Sequence, residues 1–159
     1  MELIKSELIL EEFFIVNSTY NFNEPTGDNV NVKKLVDDYE IDIDFVVRDI
    51  KNEENKYLIF TKLNINNKEN QLAGYSLFAE GVSVYSFNKN AKLTESEKSD
   101  FLWTSGVSIS INSLRNYLSA ITSYSPFGKY TLPGVDLTSL LNTKRKNHNE
   151  KVKKSKKNK

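Results

Sequence analysis

Polar and apolar residues alternate without a break from Asp38 to Phe45, within a predicted strand that runs to Ile50. Tyr39, Ile41, Ile43, Phe45 and Val47 point one way, and Asp38, Glu40, Asp42 and Asp44 the other. A period of two belongs to an extended strand with one face buried. The stretch from Lys56 to Asn66 repeats the pattern with Tyr57, Ile59, Thr61, Leu63 and Ile65, and the polar residues Asn52 to Asn55 between the two predict a hairpin. A further strand is predicted from Gln71 to Asn88, after the polar turn Asn66 to Asn70, and its length predicts a bulge at Gly74 or Gly81. Upstream, Leu8 to Phe22 is rich in β-branched and aromatic residues and reads as the first strand. It is predicted to bulge near Glu11-Glu12 and to carry Phe14, Val16, Ser18, Tyr20 and Phe22 on one face. The polar connection from Asn23 to Asp37, with Pro25 and Gly27, is long enough to run from one edge of a sheet to the other. Short links between the second, third and fourth strands predict an antiparallel meander.

The period changes after Asn88. Thr94-Glu95-Ser96-Glu97 offers a helix cap followed by early acids, and Phe101, Leu102 and Trp103 supply bulk before Gly106 interrupts. Val107 to Ile111 has strand propensity but is placed in the helix, because Ile111, Leu114, Leu118 and Ile121 continue a spacing of three and four. Ser125-Pro126 is predicted to end that helix. The chain then crosses through Gly128, Tyr130, Leu132 and Pro133-Gly134 to Asp136, an N-cap for a last short helix over Leu137, Leu140 and Leu141. Strands first and helices last is an α+β plan: a four-stranded antiparallel sheet, a long helix, a crossing segment and a short C-terminal helix.

Charge divides the chain. Residues 1–143 carry a net −7 and residues 144–159 a net +8, so a folded domain over 1–143 and a basic, disordered tail over 144–159 are expected. The tail lacks aromatics for base stacking, so any contact with nucleic acid, ribosomes or anionic lipid would rest on charge alone. There is no cysteine, which removes disulfides and thiolate ligands. The N-terminal residues have no continuous apolar core, and no run approaches the ~20 apolar residues of a membrane span. The expectation is a cytoplasmic protein that is not exported.

Catalysis finds little support. The only histidine, His148, lies in the lysine-rich tail, no thiol is available as a nucleophile, and no glycine-rich phosphate loop is present. Acids at alternate positions of a strand stand roughly 7 Å apart, too spread to enclose one cation. No enzyme activity, metal or cofactor is expected. Aromatics make up 11% of the chain, and several fall where a core does not need them. Phe22 lies at the mouth of the long connection, Trp103 before the helix, and Phe127 and Tyr130 in the crossing.

Arg115 on an apolar helix, Phe127 after a turn, then Leu132-Pro133-Gly134-Val135-Asp136-Leu137 and the pair Leu140-Leu141 resemble the C-terminal region of the SecB protein-export chaperones. The resemblance implies the same order of four strands, long helix, crossing and final helix, in a homotetramer built as a dimer of dimers. It implies ATP-independent holding of unfolded polypeptides, export precursors among them, and transfer to the translocation machinery. Client grooves would run beside the crossing and last helix, at Phe127, Tyr130, Leu132 and Leu137, with Phe22 and Trp103 added from the aromatic pattern. The acidic stripe Asp38, Glu40, Asp42 and Asp44 would face the export motor SecA. Two other readings stay open: a dedicated SecB-like chaperone of one labile partner such as an antitoxin, and a small protein that binds nucleic acid or anionic surfaces through its tail.

Overall fold

In the computed structural model, residues 5–26, 31–51 and 53–146 are described. Four strands, β1 (Leu8–Asn23), β2 (Ile41–Asp49), β3 (Lys56–Ile65) and β4 (Gly74–Phe87), form one antiparallel sheet in the order β1-β4-β3-β2. The first two strands are therefore opposite edges, and the long connection spans the sheet as its length requires. It contains a short helix, α1 (Val32–Asp37), capped by the Asn31 side chain accepting from the Lys34 amide at 3.1 Å. Asn66, in a left-handed conformation at the end of β3, ties the next turn together, its side-chain amide donating to the carbonyls of Leu72 and Tyr75.

The period-two faces emerge in register. Ile43 lies opposite Leu63, Leu63 opposite Ala79, and Ala79 opposite Ser18, so one row of the sheet presents these residues to the helices. β1 departs from its predicted face. Its pairing with β4 slips twice, at the expected place beside Glu11 and again between Ile15 and Asn17. Each extra residue resets the alternation. Phe13 and Ile15 therefore join the core together with Phe22, while Phe14 and Val16 are left exposed. Neither bulge is on β4. Gly81 serves instead as an open site for neighbours, since a Cβ there would stand 2.7 Å from the Phe13 ring.

Thr94 and Glu97 make the predicted capping box. The helix continues through α2 (Glu95–Phe101), a π-helical turn over Leu102–Gly106, and α3 (Val107–Ile121). Gly106 does not interrupt it. Its missing side chain lets the helix descend onto β3, where a Cβ would meet Ile59 Cδ1 at 2.7 Å. The Gly106 carbonyl accepts from the Tyr85 hydroxyl at 2.8 Å, and Ser110 donates to Ser83 at 2.8 Å, so these four buried groups are paired. Val107, Leu114 and Leu118 are fully buried against Ile59, Leu63, Ile65 and Leu77, and each such side chain contributes about 1.5–3 kcal/mol of burial.

α3 stops at Ile121, before the predicted Ser125-Pro126, because Thr122 takes the C-cap and turns its hydroxyl to the Leu118 carbonyl at 2.7 Å. The crossing runs over residues 123–136. The last helix, α4, covers residues 137–146, with Asp136 accepting from the Ser139 amide at 3.0 Å. Lys144 to Lys146 belong to this helix and not to a tail, and Lys144 forms an ion pair with Asp44. The expectation for residues 147–159 lies outside the described residues. Among the described residues, no helix is long and apolar enough to cross a membrane.

Candidate functional site

Side chains of α3 hold the crossing along the helix. Arg115, Ser119 and Thr122 follow one another at spacings of four and three and so share a face. Arg115 donates from Nε to the Leu132 carbonyl at 3.1 Å and from Nη2 to the Pro133 carbonyl at 3.0 Å. Ser119 donates to the Tyr130 carbonyl at 2.9 Å, and Thr122 accepts from the Tyr130 amide at 2.8 Å. An irregular segment that passes over the core thus has its backbone groups satisfied by the helix beside it. Ser119 and Thr122 were not among the predicted site residues. Their signal was polar spacing on the flank of an apolar helix.

The crossing brings aromatic side chains together at the end of β1. Phe22 meets Phe127 edge to face, with ring centres 5.0 Å apart at 86°. Tyr75, at the start of β4, stands 5.7 Å from Phe22, 5.9 Å from Phe127 and 6.2 Å from Tyr130. Tyr20 adds a further ring 6.1 Å from Tyr75 and is 39% exposed. Phe22 and Phe127 are half-buried. Ser18 and Tyr117 share a hydrogen bond of 2.7 Å that joins β1 to α3 beside this cluster. The result is an aromatic surface on an edge strand whose outer backbone groups carry no partner strand among the described residues.

The hydroxyls behind that surface are structural. Tyr39 accepts from the Tyr75 amide at 2.8 Å and donates to the Ala73 carbonyl at 3.0 Å. Burial pushes the hydroxyl of Tyr75 upward, and that of Tyr130 well above the ordinary tyrosine value. The Tyr130 oxygen is buried without a hydrogen-bond partner. Groups held neutral in this way do not serve as acids or bases near neutral pH.

The six predicted client residues separate into three environments. Phe22, Phe127 and Tyr130 converge through Tyr75. Tyr130 and Leu132 are each 2% exposed and lie beneath the surface, while Leu137 is half-buried on α4. Trp103 stands at the opposite side, 5.3 Å from Phe45 of the β2 edge, with the Arg145 guanidinium 6.0 Å from its ring centre.

The acidic stripe is divided as well. Asp42 and Asp44 lie on the sheet face turned away from the helices, whereas Asp38 and Glu40 precede β2. Glu40 pairs with Lys68, Asp44 pairs with Lys144, and Asp44 also stands opposite Lys62 in the ladder. Among the described residues no group of three or more histidines and acids is arranged to hold a metal ion.

The order of elements, the edge positions of β1 and β2 and the crossing beside a long helix define a SecB-like fold. A solved structure similar to this chain is Mycobacterium tuberculosis Rv1957, a SecB-like chaperone in complex with a ChAD peptide from the Rv1956 HigA1 antitoxin. The TM-score is 0.58 at 12% identity, over 81% of this chain and 91% of that one. A protein of unknown function from Streptococcus agalactiae aligns with a TM-score of 0.41 at 10% identity, over 80% of this chain and 98% of that one. No protein-family model matches the chain, and no curated protein matches it.

Proposed function

We propose that the protein is an ATP-independent holdase that binds extended, non-native segments of other polypeptides at the end of β1. The observation that carries this reading is the partly exposed aromatic cluster of Tyr20, Phe22 and Phe127 on an unpaired strand edge. An unfolded chain presents apolar side chains and unpaired backbone together. The aromatics take the first by burial with lax sequence demands, and the strand edge takes the second as an added strand. Phe127, Leu137 and the buried Tyr130 and Leu132 are assigned to forming and backing this surface, and Trp103 to a separate contact at the β2 edge. Export precursors as clients, a homotetrameric assembly and a cytoplasmic location belong to the same proposal. Docking of SecA on Asp38, Glu40, Asp42 and Asp44 would have to displace the lysines that pair with Glu40 and Asp44.

The test is light scattering of a chemically unfolded protein diluted into buffer without nucleotide. The wild-type chain should suppress aggregation at near-stoichiometric amounts. Tyr20→Asp with Phe127→Asp should lose that effect while keeping the wild-type far-UV spectrum and a cooperative melt. Full protection by a folded double variant would remove the aromatic surface from the mechanism.

A second reading, a chaperone dedicated to one labile partner, is favoured by the antitoxin peptide held by the SecB-like neighbour. Protection of a single co-encoded protein, with no effect on unrelated unfolded chains, would select it.

A further inference from the structure

The two edges of the sheet are covered differently. Among the described residues none of the ion pairs involves β1, whereas the middle of β2 lies under the end of α4. Leu141 is the last apolar side chain of the described part of α4 and is buried, and the turn that follows reads Asn142, Thr143, Lys144, Arg145, Lys146. No apolar side chain fastens that turn. Lys144 pairs with Asp44 and its ammonium stands 5.6 Å from the Phe45 ring centre, while the Arg145 guanidinium stands 6.0 Å from that of Trp103. Phe45 and Trp103 meet edge to face, so neighbouring cations of one turn sit on two rings in mutual contact. The Asp44 carboxylate also accepts from the Phe45 amide at 2.9 Å, a backbone donor of this edge strand. The helix dipole favours basic residues in a last turn, but an outward pose would satisfy it equally. Lys144 and Arg145 lean onto the strand edge instead.

We propose that the last turn of α4 is a latch held by charge. Closed, it covers Trp103, Phe45 and the β2 edge; open, it uncovers them for an extended segment of another polypeptide. Exposed ion pairs and cation–π contacts hold weakly and are screened by salt. Asp44 is 55% exposed and Lys144 29%, so solvent ions reach the pair. Leu141 stays packed when the latch opens, and only residues 142–146 need unwind. What is uncovered joins aromatic rings to a strand edge, the combination also present at the end of β1. An extended segment that binds there traps the open form, because it has no place to bind in the closed one. The use of the latch as a gate to a second client site rests on the holdase reading, whereas its opening can be measured without a client.

Trp103 is the only tryptophan of the chain, so quenching of its fluorescence by acrylamide reads the latch directly. In the full chain the quenching constant should rise about twofold between about 20 mM and about 0.5 M salt, as the ion pair is screened. Lys144→Gln and Arg145→Gln should each show the raised value already at low salt, with the far-UV spectrum unchanged. Asp44→Asn breaks the same pair from the strand side and should do likewise with α4 left intact. Lys146→Gln removes an equal charge one residue further on and should respond to salt as the wild type does. A wild-type constant that salt leaves unchanged overturns the latch. So does a Lys146→Gln chain as accessible at low salt as Lys144→Gln. In aggregation assays at low salt, Lys144→Gln should protect a client at about half the wild-type amount, since the second site is then open. Protection no better than that of the wild type overturns the second site. If no chain protects any client, the holdase reading fails, and the latch is still decided by the quenching.

Discussion

Phe127 occupies the space that Gly74 leaves empty: a Cβ at position 74 would stand 2.8 Å from the ring and 2.1 Å from the Tyr39 hydroxyl. Gly74 also adopts a φ of +92°, which side chains disfavour. Gly74→Ala should therefore destabilise the protein by about 1–3 kcal/mol, from overpacking and backbone strain together. Urea denaturation gives the magnitude. A matching loss of client protection at temperatures where the variant is still folded would show that the seat of Phe127 matters to the surface it helps to form.

The Thr122 hydroxyl is the only partner of the Tyr130 amide among the hydrogen bonds of the described residues. Thr122→Val keeps the shape and leaves a buried N–H unpaired, so a loss of about 1–3 kcal/mol is expected in chemical denaturation. Thr122→Ser should retain most of the stability. Equal effects of the two substitutions would mean that volume, and not the hydrogen bond, holds the crossing.

Tyr130 behaves in the opposite sense. Its hydroxyl is buried without a partner, so Tyr130→Phe should be neutral or stabilise the protein by about 1 kcal/mol. Burial raises its folded pKa above the ordinary value of 10.0. The neutral form therefore contributes stability that is fully present below that pH. It is lost as pH rises, because the unfolded chain ionises first. The denaturation midpoint should fall above about pH 10, and the fall should be shallower in Tyr130→Phe. Part of it should persist, since Tyr39, Tyr75 and Tyr85 are raised by burial as well.

At the start of α4, hydrogen bonds from the Ser139 hydroxyl and then its amide hold the Asp136 carboxyl below the usual carboxylate range. The sign is the reverse of that for Tyr130. The cap is fully present above the unfolded carboxylate pKa and is lost as pH falls through the lower folded value. Amide exchange in residues 140–146 should accelerate under acid conditions, and Asp136→Ala should show that acceleration already at neutral pH. Exchange that stays slow in the variant would mean that Leu141, buried against the core, anchors the helix without help from its cap.

Much of the fold was written in local spacing. The alternation through β2 and β3 placed Ile43, Phe45, Ile59 and Leu63 on the helix side, and the three-and-four rhythm carried Val107 to Ile111 into a helix against its strand propensity. These signals are local and do not depend on partners. The face of Phe14 was not legible, because its orientation is set by where β1 slips against β4, a property of two strands about 65 positions apart. The same holds for the candidate site. Phe127 and Tyr130 were recognised in the crossing, but Tyr130 is linked to Phe22 through Tyr75, which a strand pattern assigns only to the core. Trp103 was grouped with them on aromatic character alone, whereas its position in the helix carries it to the β2 edge.

The π-helical turn at Leu102–Gly106 gives the long helix two angular phases. One residue more than an α-helical turn requires is accommodated there, so the α2 side and the α3 side are offset by about 100° relative to an unbroken helix. Trp103 can thereby meet Phe45 at the sheet edge while Leu114 and Leu118 still point into its centre. Regular α-helical winding of the same residues would rotate one half out of its seat, whereas deleting one residue from the turn would restore regular winding with both halves in place. The π winding of the segment, more than the identity of any side chain in it, keeps the edge contact and the central contact in step.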